Sequence, residues 1–433
     1  MSLSPASALT LDQWLDRIEA IHPTEIDLGL DRVRVVRDRL GMALSGCTIT
    51  VAGTNGKGSV CALLESIARS AGYRVGTFTS PHLVHFNERG RIDGESVADE
   101  TLIAAFEAVE RARAEVSLTY FEFTALAILK IFSDAHLDLN ILEVGLGGRL
   151  DAVNAFDSDC AILTCVAIDH AAYLGDTREA IGLEKAHVFR PNCPAICADP
   201  VPPATVAAYA NQIGADLWQF GVDFNYAGDR QQWSYAGRSV RRNALAYPAL
   251  RGANQLLNAS AVLAAFEALR NKLPIAQKDV RQGFAQVSLR GRFDILPGQP
   301  AVILDAAHNP HAVSHLAANL DNMGFFPYTY GVFGVMADKD IDAMLDAIGG
   351  RIDHWYVTSL PGSRAARASD LEARLQARGL SDGGERTVTV CESPAAGLLL
   401  ARERAGENDR IVVFGSFLTV ADILAANAEP KLS

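Results

Sequence analysis

Hydrophobic residues fall in short unbroken runs along much of the chain, separated by stretches in which apolar side chains recur every three or four positions. CTITVAG (47–53) and RVGTFTS (74–80) read as buried strands. Between them Val60, Leu63, Leu64, Ile67 and Ala71 keep helical spacing, and Gly72 supplies a stop. Further strands are predicted at LNILEVG (139–145), CAILTCVAI (160–168) and PAICADP (194–200). The alternation returns at AVILDAA (301–307), YTYGVFGVM (328–336), HWYVTSL (354–360), TVTVCES (387–393) and RIVVFGS (410–416). Wholly apolar strands alternating with helices are the pattern of parallel sheets covered on both faces. Residues 224–247 differ: short aromatic pieces predict hairpins, and a helix should follow near 254–270. RGRFDILPGQP (290–300) carries the Pro and Gly punctuation of a connection between domains. The expected fold is α/β, in two domains. Residues 1–290 should form a larger domain with a parallel sheet, and residues 291–433 a smaller α/β domain.

Composition narrows the function without naming it. The 433 residues carry 39 Lys and Arg against 51 Asp and Glu, a formal charge of −12. That balance argues against a general nucleic-acid binder, which needs a basic footprint to displace phosphate counterions. No apolar run approaches the roughly 18 residues of a membrane span, and residues 1–17 lack the basic start and apolar stretch of a secretory signal. Cysteines at 47, 61, 160, 165, 193, 197 and 391 form no CxxC unit, which suits reduced thiols and offers no zinc framework. A cytoplasmic monomer that binds neither nucleic acid nor membrane is the expectation.

The strongest local feature is VAGTNGKGSV (51–60): a strand, a glycine-rich turn, then a helix. Gly53, Gly56 and Gly58 let the backbone turn tightly and aim the N–H groups of Thr54 to Ser59 at one point, where a helix N-terminus adds about half a positive charge. Lys57 can reach β- and γ-phosphate oxygens, and the Ser59 hydroxyl can join a magnesium shell. The strict pattern GxxxxGK[ST] is not met, because Gly58 separates Lys57 from Ser59. As a generic glycine loop the stretch is equally a tight strand–helix turn.

As a whole string, GTNGKGS resembles the phosphate loop of the folylpolyglutamate synthase family, relatives of the Mur ligases. Similar blocks recur in order: IDLGLDRV (26–33), TSPHL (79–83), LTYFEFTAL (118–126), ILEVGLGGRLDAVN (141–154), AIDHAAYLG (167–175), EKAHVFR (184–190), RGRFD (290–294), LDAAHNPHA (304–312), MADKD (336–340) and FGSFLTV (414–420). The resemblance is strongest to bifunctional bacterial members, which add L-glutamate to 7,8-dihydropteroate and further glutamates to reduced folates. It implies an ATP- and magnesium-dependent amide ligase with two metal ions. Residues 1–290 would be a P-loop mononucleotide-binding domain that holds ATP and folate or pteroate, residues 291–433 a smaller Rossmann-like domain, and ATP would lie between the two.

Glu143 ends an apolar strand just before GLGG, at the edge where open sheets bind ligands. Alone such a residue most often caps a helix; beside a phosphate loop it reads as a metal ligand. The resemblance implies magnesium for Glu143, for Ser80 and Ser59, for His170 in the DH pair, and for Lys185. The last would serve as a carbamate, since a free ammonium repels the ion. Lys57, Lys185 and His170 are thus the implied catalytic set. Asn258 and Arg292 match adenine- and phosphate-contacting positions, and Asp305, at the ligand-binding edge of the strand 301–307, can hold ribose hydroxyls. On the folate side the candidates are Ile26, Asp27 and Leu28, then Thr119, Tyr120, Phe121 and Glu122, and Leu150, Asp151 and Ala152. Arg89 and Arg91 can meet substrate carboxylates or merely solvate a loop. Two residues depart from the family pattern: His187 stands where Gly is usual, and Leu418 where His is frequent. Two other readings stay open, a Mur-type ligase acting on a UDP-sugar peptide and a nucleotide-dependent regulatory protein without turnover.

Overall fold

A computed structural model describes residues 9–229, 231–380 and 386–428. The chain divides into two compact units. The first comprises residues up to His82, Phe86–Tyr247 and Leu257–Val287; the second comprises Leu83–His85, Pro248–Leu256 and residues from Ser288 onward.

The first unit is built on eight strands: β1 Cys47–Ala52, β2 Val75–Phe78, β3 Gly90–Ile92, β4 Glu95–Ser96, β5 Leu139–Glu143, β6 Cys160–Leu163, β7 Pro194–Cys197 and β8 Asp216–Gln219. Their order is β4-β3-β2-β5-β1-β6-β7-β8. All neighbours from β2 to β8 are parallel, and β3 and β4 add an antiparallel edge. Every residue of β1 is buried, as befits a strand covered on both faces. Val51 of β1 lies opposite Glu143 of β5 on one side and Ile162 of β6 on the other. From β1 the chain crosses to β2, beyond β5, whereas β6 lies on β1's opposite side. The carboxyl end of β1 is therefore a switch point, the place where an open α/β sheet leaves a crevice for ligand.

The helix Lys57–Ser70 buries Val60, Leu63, Leu64 and Ile67 as the periodicity predicts. Gly283 on the helix Gln277–Gln286 lies so near it that an added Cβ would come within 2.6 Å of the Ile67 backbone. The region 224–247 forms the expected antiparallel piece, with strands β9 Asn225–Gly228, β10 Trp233–Ala236 and β11 Arg241–Leu245. A helix Gln255–Ala268 follows.

The strands are shorter than the apolar runs that predict them, CAILTCVAI most of all. CAILTCVAI keeps its ladder only through Leu163, because residues beyond turn toward the glycine loop. Thr164 Oγ1 donates to the Asn55 carbonyl (2.6 Å), and the Cys165 carbonyl accepts from the Thr54 N–H (2.8 Å).

The second unit holds six strands, β12 Asp294–Leu296, β13 Ala301–Leu304, β14 Thr329–Phe333, β15 His354–Thr358, β16 Thr387–Cys391 and β17 Arg410–Phe414. Their order is β12-β13-β17-β14-β15-β16, parallel except for β12. RGRFDILPGQP is thus more than a connection: its central residues pair with β13 as an edge strand.

Candidate active site

The glycine turn is shaped by what lies beneath it. Gly53 has φ +148°, and a Cβ there would sit 1.8 Å from Thr164 Oγ1. Gly56 is left-handed at φ +89°, with Asn258 Oδ1 3.0 Å from where its Cβ would be. Asn258, buried on the helix Gln255–Ala268, is thereby set against the turn. Thr54 ties the turn sideways, its Oγ1 accepting from the Ala167 N–H at 3.0 Å and facing the Ala167 carbonyl at 3.1 Å. Gly58 and Ser59 open the helix that follows, with Ser59 buried in its first turn.

Two ammonium groups meet on one carbonyl. Lys57 Nζ donates to Gly53 O (3.0 Å) and Thr54 O (3.3 Å), and Lys185 Nζ donates to Gly53 O (3.1 Å). Lys185 comes from the helix Arg178–Ala186 and is only 5% exposed. Burial, and then the neighbouring Lys57 charge, lower its ammonium from the ordinary 10.5 to about 7. Around this point a helix N-terminus, two lysines and several backbone N–H groups make a cradle for a polyanion.

At the neighbouring strand end Glu143 Oε2 accepts from the Ser80 N–H at 3.1 Å, which brings those two candidate ligands together. Their oxygens and the Ser59 hydroxyl suit magnesium, which prefers one or two carboxylates plus water and substrate phosphate to a closed protein cage. Consistently, no group of three His, Cys, Asp or Glu side chains with metal-holding geometry occurs among the described residues. His170 has φ +53° and precedes the short helix Ala171–Leu174; its Nε2 lies 3.9 Å from the Asp169 carboxylate. Lys185 in its ammonium form donates and cannot ligate, so it fits the ion only after losing its proton and gaining oxygens.

The folate-side candidates form a joined group. Arg32, which the sequence reading passed over, donates to Asp27 Oδ2 (2.7 Å), the Asp27 carbonyl (2.6 Å) and Glu122 Oε1 (3.0 Å). It fastens the segment of Ile26, Asp27 and Leu28 to that of Thr119 to Glu122. Thr119 and Glu122 also cap the helix Tyr120–Ala135 reciprocally. The Phe121 ring covers Gly145, where a Cβ would come within 2.6 Å of it, and lies 5.9 Å from the Phe78 ring. Asp151 is buried between Leu150 and Ala152 and accepts from the N–H groups of Gly145 (3.0 Å), Leu146 (2.9 Å) and Val153 (3.0 Å). Burial still pushes its carboxyl up to about 6. Its side chain thus shapes the GLGG loop, whatever else it meets.

Arg91 is committed to Glu65 at 2.8 Å, both side chains largely buried. Arg89 differs. It is 8% exposed, its Nε donates to His82 Nδ1 (2.8 Å), and its guanidinium lies 5.3 Å from the Tyr120 ring centre. Burial lowers its basicity. A buried cation facing rings rather than a carboxylate is a natural seat for a substrate anion, and its place in NERGR beside TSPHL was the only sequence signal.

In the second unit Asp305 follows β13 and accepts from the N–H groups of Phe293 (3.0 Å) and Ala307 (2.9 Å). Burial raises its carboxyl above the usual range, against the pull of Arg292 and those donors. The Arg292 guanidinium lies 4.5 Å from the Phe417 ring centre.

Against known proteins, a model of the Mur ligase middle domain matches residues 51–266, and one of the Mur ligase glutamate ligase domain matches residues 291–417. The dihydrofolate synthase/folylpolyglutamate synthase of Escherichia coli strain K12 is 40% identical over 422 residues, 97% of this chain and 96% of that protein. The chain belongs to the dihydrofolate synthase/folylpolyglutamate synthase family. Among solved structures of that family, E. coli FolC in complex with DHPP and ADP has a TM-score of 0.92 at 39% identity, covering 98% of this chain and 99% of that one. A bifunctional folylpolyglutamate synthase/dihydrofolate synthase with Mn, AMPPNP and L-glutamate bound has a TM-score of 0.89 at 38% identity, covering 99% and 100%.

The two departures from the family's pattern have plain local settings. The His187 ring stacks on Tyr209 with centroids 4.2 Å apart, and its Nδ1 lies 2.7 Å from the Leu183 carbonyl. Leu418 is partly exposed, its N–H bonded to Ser416 Oγ at 3.2 Å.

Proposed function

We propose that the chain is an ATP- and magnesium-dependent ligase that joins L-glutamate to 7,8-dihydropteroate and adds further glutamates to reduced folates. The observation that carries this reading is the meeting of Lys57 and Lys185 on the Gly53 carbonyl beside a helix N-terminus, in a chain similar along its whole length to enzymes of this name.

The chemistry required is activation of a poor electrophile. Two anions must approach, the substrate carboxylate and the γ-phosphate. At 4 Å and an effective dielectric of 20, each charge pair repels by about 4 kcal/mol. Lys57 and the N–H groups of Thr54 to Ser59 offset that repulsion on the phosphate side. Carboxylate oxygen attacks the γ-phosphorus, ADP leaves, and an acyl phosphate forms. The amine of L-glutamate then attacks the acyl carbon, and the tetrahedral adduct expels phosphate. No covalent side-chain nucleophile is needed.

Magnesium, when bound, neutralises phosphate charge, and Ser59, Ser80, Glu143 and His170 are the residues proposed to hold it. With its basicity lowered to about 7, Lys185 is substantially neutral at physiological pH. Its free amine can add to carbon dioxide, releasing a proton and giving a carbamate whose oxygens suit the ion. Asn258 is assigned to adenine, Arg292 to phosphate and Asp305 to ribose. Dihydropteroate is assigned to the group joined by Arg32, with Phe121 against the pterin and Leu150 and Ala152 beside it. A Mur-type reaction on a UDP-sugar peptide is set aside because the full-length relatives are folate enzymes.

The test is phosphate release with dihydropteroate, ATP and glutamate together, against mixtures omitting one. Release only in the complete mixture supports the reading; release independent of glutamate contradicts it.

A further inference from the structure

The helix Pro310–Asp321 carries a pair of histidines that the reaction described above does not use. His311 and His315 are one helical turn apart and therefore stand on one face. Their Nε2 atoms lie 3.3 Å apart and their ring centres 4.5 Å, with the planes at 81°. Both rings are half-buried, so water and a small ion can reach them. His308 is turned elsewhere: its Nδ1 lies 2.9 Å from the Ala306 carbonyl, and its ring centre 5.8 Å from that of Phe417.

The spacing has a chemical meaning. A tetrahedral zinc ion binds imidazole nitrogen at about 2.05 Å, which sets two such nitrogens about 3.3 Å apart. Magnesium seeks oxygen instead, so the pair discriminates against the ion that serves the reaction. Imidazole must be neutral to ligate. A contact this short between two ring nitrogens needs at least one of them unprotonated, and burial holds His315 below the ordinary 6.5. With both rings neutral, binding releases no proton. The ring protonated on Nε2 moves that proton to Nδ1, and both Nε2 lone pairs are then available to the ion.

The backbone that presents the two rings is firmly set. The opposite face of the helix buries Val313, Leu316, Ala317 and Leu320. At the start, Asn309 Oδ1 accepts from the Ala312 N–H at 2.9 Å. One turn beyond His315, Asn319 Oδ1 accepts from the Ala253 N–H, also at 2.9 Å. The nitrogens are thus held near their spacing by packing on one side and hydrogen bonds at both ends, which is the preorganisation a two-ligand site needs.

We infer that His311 and His315 form a site for one divalent ion of the zinc class, with water completing its coordination. The donors are nitrogens, unlike the oxygens of Ser59, Ser80 and Glu143, and the inference stands whether or not the chain ligates folates. No third His, Cys, Asp or Glu joins the pair in metal-holding geometry among the described residues. The ion is therefore exchangeable, taken up and released with its concentration, in contrast to the closed four-ligand sites that hold zinc permanently. When bound it ties the first turn of the helix to the second.

The test is calorimetric titration of the full chain with zinc chloride, in millimolar magnesium so that oxygen sites are already served. The expected result is one zinc ion per chain, with a melting temperature that rises as zinc is added. His311→Gln and His315→Gln, each checked for cooperative melting, should weaken uptake at least about tenfold, since even the outer partners of a metal ligand are worth that much. Cys165→Ser and Cys193→Ser, which remove the two partly exposed thiols, should leave it unchanged. Ala318→His places a third imidazole on the face of His311 and His315 and should tighten binding at least about tenfold. Absence of uptake by the wild type, undiminished uptake in both Gln variants, or uptake lost with either thiol overturns the inference. If a Gln variant fails to fold, Ala318→His decides: tighter binding supports the pair, and unchanged binding overturns it.

Discussion

Replacing Lys185 by methionine should stabilise the first unit at neutral pH while abolishing ligation. The ammonium has an ordinary value of 10.5 and about 7 in the fold, chiefly through burial and then through Lys57. Below about pH 7 the group is charged in both folded and unfolded chains, and the fold bears the whole cost of enclosing it. Over that interval, at about 1.4 kcal/mol per pH unit, the cost is roughly 5 kcal/mol. Between pH 7 and 10.5 the unfolded chain binds a proton that the folded chain does not, so wild-type stability climbs toward the variant's. Above 10.5 the cost is gone. Methionine has comparable length and no charge, and it forgoes the bond to Gly53 O, worth about 1 kcal/mol. The variant should therefore be more stable by roughly 4 kcal/mol at pH 6 and by roughly 2 kcal/mol at pH 8.5, and slightly less stable near pH 10.5. Urea unfolding at these pH values, in buffer freed of carbon dioxide so that no carbamate forms, gives the difference directly. A difference that stays flat from pH 6 to 10, or a wild type that is the more stable at pH 6, refutes the reasoning. Stability gained where activity is lost is the usual exchange at a strained functional site.

Lys57→Ala should lower kcat about a thousandfold, the rate equivalent of about 4 kcal/mol of uncompensated charge repulsion, in a variant whose melting stays cooperative; near-wild-type turnover would remove the phosphate-loop assignment. Gly53→Ala places a Cβ 1.8 Å from Thr164 Oγ1, so the variant should lose the rise in melting temperature that ATP gives the wild type, and an unaltered ATP shift would contradict the described turn. Arg32→Ala and Phe121→Ala should depress dihydropteroate ligation at least tenfold more than extension of a reduced folate, read as kcat/KM for each substrate. Equal losses would mean that these residues serve a common site. Lys185→Ala activity should partly return with added short-chain carboxylic acids, which bring oxygens near the ion; lack of any recovery speaks against the carbamate.

The main strands were legible because each is a covered parallel strand and therefore an unbroken apolar run. β3, β4, β8 and β12 escaped notice for the opposite reason: they are two to four residues long, lie at or near sheet edges, and bury little. The C-terminal half of CAILTCVAI misled because Val166 and Ala167 are buried beside the glycine turn rather than in a ladder, while Ile168 is exposed. For the site, the string GTNGKGS points to a phosphate loop by itself, since the turn's chemistry is local. Arg32 could not be read so, and the sequence left Arg89 undecided between meeting a substrate carboxylate and solvating a loop. Arg32 matters through a contact ninety positions away in sequence, with Glu122, and Arg89 through burial beside Tyr120. Neither relation leaves a period or a spacing in the chain. Asp151 is the mixed case: the block containing it stood out, while its grip on three loop N–H groups needed coordinates.

The most direct measurement is mass analysis of the products after incubation with ATP, magnesium and L-glutamate, in parallel with dihydropteroate and with tetrahydrofolate. The account predicts dihydrofolate from the first and a ladder of glutamylated tetrahydrofolates from the second, with ADP and phosphate formed once per glutamate added. A wild-type enzyme that leaves dihydropteroate unchanged while ATP, magnesium and glutamate are present would contradict it.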